Sequence, residues 1–214
     1  MNRLNIITLF PELFAPFLTV IPFKNLINKS IQLTIVNLRD FGLGNYKKVD
    51  ETPYGGGPGM VLMVEPIFNA LTALNDPHSY KLLLSPRGTT FKQPKAHQLA
   101  EHESLTLICG RYEGVDARVE ALCDETLSIG SFVLSGGEAA ALCVLEATLR
   151  LLPEGIGSTA SLESESFTTE GKTEYPQYTR PEVFESLRVP EILLSGNHKE
   201  IEKWREANSL LKED

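Results

Sequence analysis

The sequence predicts an α/β fold organised around a mostly parallel sheet. Three observations carry that expectation. Short apolar, β-branched runs alternate with stretches of helical periodicity along most of the chain. Several of those runs end at glycine or proline just before a helical stretch, as strands of parallel α/β units do. And 214 residues, 42% hydrophobic and 22% charged, supply a core for one or two domains and exclude a disordered chain.

In order, Leu4–Phe10 reads as a buried strand ended by Pro11. Pro11 to Asn28 has roughly helical spacing at Leu13, Phe14, Phe17 and Leu18, with Pro16 and Pro22 limiting its regularity. Ile31–Val36 is a strand, and Arg39–Gly59 is a loop rich in glycine, proline and charge. Glu65–Leu74 reads as a helix, Tyr80–Leu84 as a strand, Lys92–His102 as a helix and Leu105–Ile108 as a strand. A helix over Val115–Cys123, a strand over Glu125–Ile129 and a long helix over Glu138–Leu152 follow. From Pro153 to Tyr178 the composition shifts to Gly, Ser, Thr and Glu, as in a linker or mobile loop. Arg180–Leu211 recovers helical periodicity, with Ile201 and Trp204 on it. The expected organisation is a domain over 1–160, a linker over 161–178 and a small helical domain over 179–214.

The longest apolar stretches are too short for a membrane span, and the N-terminus lacks a secretory pattern. Cys109, Cys123 and Cys143 are an odd set without metal-ligand spacing. A cytoplasmic protein with free thiols and no membrane partner is expected. The net charge of −8 argues against indiscriminate binding to nucleic acid. Its distribution is uneven, however: residues 1–100 carry 10 basic and 6 acidic side chains, and residues 101–214 carry 10 and 22. A local basic face therefore remains open.

The informative chemistry lies in glycine-rich loops at strand ends. Tyr54-Gly55-Gly56-Gly57-Pro58-Gly59 can bring backbone N–H groups close to a ligand, but lacks the Lys-Ser/Thr pair of a Walker loop. Gly110-Arg111-Tyr112-Glu113-Gly114 lies between a strand and a helix, where α/β proteins bind ligands. Ser128 to Glu138 ends a strand and opens a helix through Gly136-Gly137, with Glu138 also readable as a first-turn helix charge. Leu83-Leu84-Ser85-Pro86-Arg87-Gly88 is a fourth transition of this type. Four such loops on one sheet edge would form a pocket. Neither a GxGxxG dinucleotide fingerprint nor a nucleophile elbow is present.

The motifs TLFPELF, RDF, VDETPYGGGPGM, LLSPRG, CGRYEGVDARV, SIGSFVLSGGE, YTRPEVFE and VPEILLSGNHKEIEKWR occur in that order. By them the chain closely resembles the bacterial tRNA (guanine-N1)-methyltransferases, which are SPOUT-type enzymes. The resemblance implies a deep trefoil knot, a homodimer with active sites between subunits, and methylation of N1 of guanosine 37, next to the anticodon. It implies S-adenosylmethionine held by Leu83, Leu84, Ser85, Pro86, Gly110, Tyr112, Gly114, Ser128, Ile129, Gly130, Ser131, Phe132, Val133, Leu134, Gly136 and Gly137. The segment Tyr54, Gly55, Gly56, Gly57, Pro58 and Gly59 is expected at the target guanosine. Guanine N1 bears a proton and is a poor nucleophile until that proton leaves, so a base is required. Charge then develops on O6, which calls for a cation. Glu165 and Arg150 take those roles by resemblance, and Glu113 is the candidate partner for Mg²⁺.

This chain departs from the family pattern in three places. Glu165-Ser166-Phe167 stands where Asp precedes Ser-Phe in the best-known members, and Ser131-Phe132 where Asp and Tyr are common. The chain ends at Asp214, from which a shortened C-terminal domain is expected. His198 reads as a capping or packing residue. A related knotted enzyme with another RNA target, or a catalytically weakened RNA-binding homologue, is the alternative reading. The tRNA is expected on a face carrying Lys47, Lys48, Arg87, Lys92 and Lys95.

Overall fold

The computed structural model describes residues 1–21, 23–153, 155, 165–167 and 171–210. Pro22, residues 161–164 and 168–170 of the expected linker, and the expected final-helix end at Leu211 lie outside them. The chain divides into two compact units, Met1–Gly157 and Ser158–Asp214.

The first unit is built on strands β1 (Arg3–Thr8) and β2 (Gln32–Asn37), a short pair β3 (Asp50–Glu51) and β4 (Val61–Leu62), then β5 (Tyr80–Thr90), β6 (Ser104–Cys109) and β7 (Glu125–Ser128). The helices are α1 (Ala15–Leu18), α2 (Phe23–Lys29), α3 (Val64–Leu74), α4 (Gln93–Glu101) and α5 (Gly137–Leu149). The main sheet has the order β2-β1-β6-β5-β7, and every pairing in it is parallel. Strand β6 thus enters between β1 and β5, two strands laid down before it. Parallel strands buried on both faces should be apolar throughout, and β1 and β6 are buried at nearly every position.

Side-chain alternation divides the core in two. Leu4, Ile6, Leu82, Leu84, Leu105, Leu107 and Leu127 face a cluster with Leu26 of α2, Leu99 of α4 and Ala141, Val144, Leu145 and Leu149 of α5. Ile7, Leu83 and Ile108 point the other way, onto Ile67 and Ala70 of α3, Leu62 and Val119. Each fully buried Leu, Ile or Val in these layers contributes about 1.5–3 kcal/mol. The expected α/β class with a parallel sheet is what the chain adopts.

Several elements differ from the sequence expectation. The helical stretch after Pro11 is a 3₁₀ turn (Pro11–Leu13) followed by α1 and α2, because Pro16 fits only the first turn of a helix. Val115–Cys123 is a 3₁₀ segment, Ala117–Leu122, capped by the Asp116 side chain accepting from the Arg118 amide. Strand β5 continues to Thr90: its pairing with β7 breaks after Leu84 and resumes at Thr89, so Ser85–Gly88 bulge out of the ladder. Gly88 is obligatory there, since a Cβ would lie 2.5 Å from the backbone of Thr126 and Leu127.

The second unit is not uniformly helical. A two-stranded antiparallel hairpin, β8 (Val183–Phe184) and β9 (Leu187–Arg188), precedes α6 (Glu191–Leu194) and α7 (His198–Asn208). Trp204 anchors the unit, with Tyr175 edge-on at 6.4 Å and Tyr178 at 6.3 Å between ring centroids. The cap of α7 is Asn197, whose side chain accepts from the Glu200 amide, and His198 is the first helical residue. No helix among the described residues is long and apolar enough to cross a membrane.

Candidate functional site

The carboxyl ends of β5, β6 and β7 open on a cleft of about 200 Å³ in the first unit. Its walls are the expected loops: Leu84, Ser85 and Pro86; Gly110, Tyr112 and Gly114; Ser128, Ile129, Gly130, Phe132, Val133 and Leu134; and Gly136 and Gly137. Two expected residues stand apart. The Leu83 side chain is buried in the α3-side core, and Ser131 lines a neighbouring cavity with Phe132 and Val133. Phe132 and Val133 therefore wall both spaces.

Glycine makes this cleft by permitting contact between backbones. A Cβ on Gly137 would sit 2.9 Å from Cys109 Cα and from Gly110 N. Instead the Gly137 amide donates to the Gly110 carbonyl at 2.8 Å, joining the start of α5 to the end of β6. The loop after β6 is bonded on its other side to β4: Leu62 N donates to Gly114 O, Glu113 N to Met60 O and Asp116 N to Leu62 O. That ladder carries the Tyr54–Gly59 loop to the cleft mouth. A Cβ on Gly59 would meet Glu113 Cγ and Oε1 at 2.6 Å. Gly55, Gly56 and Gly57 all have positive φ (86°, 79° and 130°), a run that only glycine tolerates, and Tyr54 is fully exposed beside them.

Among the described residues, the charged side chains lining the cleft are Arg111 and Glu113. The sequence places Arg111 in its glycine loop and Glu138 in the first turn of a helix, but does not reveal their contact with each other or with Thr8. Arg111 Nε donates to Glu138 Oε2 at 2.8 Å, and Thr8 Oγ1 donates to Glu138 Oε1 at 2.8 Å. Glu138 is 1% exposed, so it is far more than a solvated first-turn charge. Cys109 lies under the same loop. Burial pushes its thiol well above the usual range, the Glu138 carboxylate adds to that, and Arg111 opposes it. A thiol that is protonated and 1% exposed is not a nucleophile.

Arg150 is not brought to this cleft. It is the C-terminal cap of α5, whereas the cleft sits at the N-terminal end, about 20 Å away at 1.5 Å per residue. Glu165 belongs to the second unit and is half-buried; neighbouring Ser166 accepts from the Glu174 amide at 2.9 Å. Among the described residues no group of three or more His, Cys, Asp or Glu side chains is placed to hold a metal. The donor set around Glu113 therefore does not fit a protein-caged Mg²⁺. The expected basic face is partly neutralised in place. Lys47 pairs with Asp40, Lys48 with Glu51, Arg87 with Glu120 and Lys95 with Glu125.

A parallel α/β sheet with a glycine-walled cleft at its carboxyl edge places this chain among the α/β proteins built to take a ligand at the carboxyl ends of their strands. The family model described as tRNA (Guanine-1)-methyltransferase TrmD matches residues 2–214, and the chain belongs to that family. It is 48% identical to the tRNA (guanine-N(1)-)-methyltransferase of Metamycoplasma arthritidis over 98% of this chain and 91% of the relative. Identity is 51% to a Thermus thermophilus protein of the same name, covering 97% and 87% of the two chains. It is 46% to that of Desulfitobacterium hafniense, covering 97% and 80%.

Proposed function

We propose that this chain transfers the methyl group of S-adenosylmethionine to N1 of guanosine 37 in tRNA. The observation that carries the reading is the junction of two sites. The loops after β5, β6 and β7 wall a cleft at the carboxyl edge of the sheet that suits the cofactor, and the Tyr54–Gly59 loop is held at its mouth by the contact of Gly59 with Glu113. When bound, S-adenosylmethionine supplies an electrophilic methyl group on a sulfonium.

The remaining chemistry falls to this chain's residues. Glu165 takes the N1 proton; its arm is one methylene longer than that of Asp. Arg150 donates to O6 as negative charge gathers there. Because Arg150 lies at the far end of α5 from its own cleft, it can serve only the cleft of a second copy, which supports a homodimer with shared active sites. Insertion of β6 between two earlier strands, with its loop bonded to the start of α5, supports the trefoil-knot reading. The first unit carries the cofactor and the second, with its linker residues, engages the tRNA. The protein acts in the cytoplasm. Among the described residues Glu113 is the only carboxylate lining the cleft.

The test is methyl transfer from labelled cofactor to tRNA transcripts with G or A at position 37. Incorporation that requires the G is expected. Equal labelling of both, or labelling of neither, rejects the reading. Glu165→Gln should bind both substrates and lose transfer by about 100-fold or more.

A further inference from the structure

Beneath the cleft wall lies a buried polar chain that the methyl-transfer reading does not use. The Phe10 amide donates to Thr8 Oγ1 at 2.9 Å, and Thr8 Oγ1 donates to Glu138 Oε1 at 2.8 Å. Glu138 Oε2 accepts from Arg111 Nε at 2.8 Å. Arg111 Nη1 reaches the Ser135 carbonyl at 3.3 Å, and its guanidinium lies over the Phe10 ring with Cζ 4.4 Å from the centroid. Two segments distant in sequence, the end of β1 and the loop after β6, meet on this one carboxylate of α5.

A carboxylate at 1% exposure is retained only when its charge is matched. Here the match immobilises Arg111, the one cationic side chain that lines the cleft among the described residues. The guanidinium is held by a hydrogen bond at Nε, another at Nη1 and a ring face, and it crosses directly over Gly136. Its remaining nitrogen, Nη2, has no hydrogen-bond partner among the described residues, and the side chain keeps 20% exposure. A planar guanidinium fixed in this way presents a directed donor to a carboxylate.

We propose that Glu138 is a positioning residue, aiming Arg111 at the carboxylate of the cofactor's amino-acid end. This rests on the methyl-transfer reading and adds to it a means of selecting ligands that carry that carboxylate. The bracket makes the cleft discriminate between S-adenosylhomocysteine, which keeps the amino-acid group, and 5′-methylthioadenosine, which lacks it.

The experiment is calorimetric titration of the full chain with those two ligands, for wild type, Glu138→Gln and Arg111→Lys. Both variants should bind S-adenosylhomocysteine at least about tenfold more weakly and 5′-methylthioadenosine within about twofold of wild type. Arg111→Lys keeps the charge but loses the fork, and as a partly exposed residue it carries the test if Glu138→Gln does not fold. Equal weakening of both ligands would show a bracket that only supports the fold, and the proposal fails. Unchanged binding of both by the variants overturns it too, while leaving the methyl-transfer reading intact. If wild type binds neither ligand, the cofactor reading itself fails and the proposal goes with it.

Discussion

Gly136→Ala tests the packing on which the cleft depends. Gly136 has φ 177°, extended backbone that any residue adopts, so alanine there incurs no conformational strain. The effect is steric alone. The new Cβ would lie 2.2 Å from Arg111 Nε, 2.4 Å from Cδ and 2.7 Å from Cζ. Arg111 must leave its track, and its 2.8 Å bond to Glu138 goes with it. Removing a hydrogen bond between charged groups is worth about 1.5–3 kcal/mol. The larger figure of about 3–5 kcal/mol for a broken buried pair overstates the loss, because Arg111 is 20% exposed and can keep partial contact. For a chain of this length each kcal/mol lowers Tm by roughly 2–4 °C, so a fall of about 3–12 °C is expected. Thermal unfolding without ligand measures it. The decisive control is the same substitution on an Arg111→Ala background, where nothing remains to collide. There Gly136→Ala should change Tm by less than about 1 °C. Additive losses in the double variant would refute the steric account, as would an unchanged Tm in the single one.

Two further outcomes follow from the ionisable groups. Burial pushes the Glu125 carboxyl up, but hydrogen bonds from Lys95, Tyr80 and Thr89 outweigh it and hold the folded value below the usual carboxylate range. A depressed carboxyl stabilises the fold above its unfolded pKa, about 4.3, and that contribution is lost as pH falls through the folded value. Glu125→Gln should therefore lower stability by roughly 1–2 kcal/mol at pH 7, with the gap to wild type in urea midpoint closing below about pH 4; a gap constant with pH contradicts the assignment. Cys109→Ala should retain methyl transfer to within about twofold, since burial keeps its thiol protonated and out of the chemistry; loss of turnover with the fold intact would contradict that.

The sheet and the cleft walls were legible in the sequence because both are written locally. A buried parallel strand announces itself by an unbroken apolar run, and β1, β2, β5, β6 and β7 lie where those runs predict. Residues expected at the cofactor site sit at strand ends, and strand ends of a parallel sheet share one edge. Where the structure departs from expectation, a non-local contact decides the outcome. Ala117–Leu122 takes a tighter helix because Asp116 caps it while its amide is tied to Leu62, 54 positions earlier. The hairpin Val183–Arg188 has too few residues per strand for period-two alternation to stand out against the helical spacing around it.

Glu138 shows why some functional residues escape such reading. In one dimension it is an acidic residue in the first turn of a helix, the commonest place for one and a favourable interaction with the helix dipole. Nothing in SGGE distinguishes a solvated glutamate from one at 1% exposure. What changes its meaning is that Thr8, 130 residues away, and Arg111, 27 residues away, arrive on its two oxygens. The two glycines before it supply the missing clue: Gly136 is bare so that Arg111 can cross, and Gly137 is bare so that α5 can start against Cys109 and Gly110. A Gly-Gly-Glu that opens a helix after a strand of a parallel sheet is therefore better read as one steric and electrostatic unit. Its glycines make the space, and its carboxylate holds the arginine that fills it.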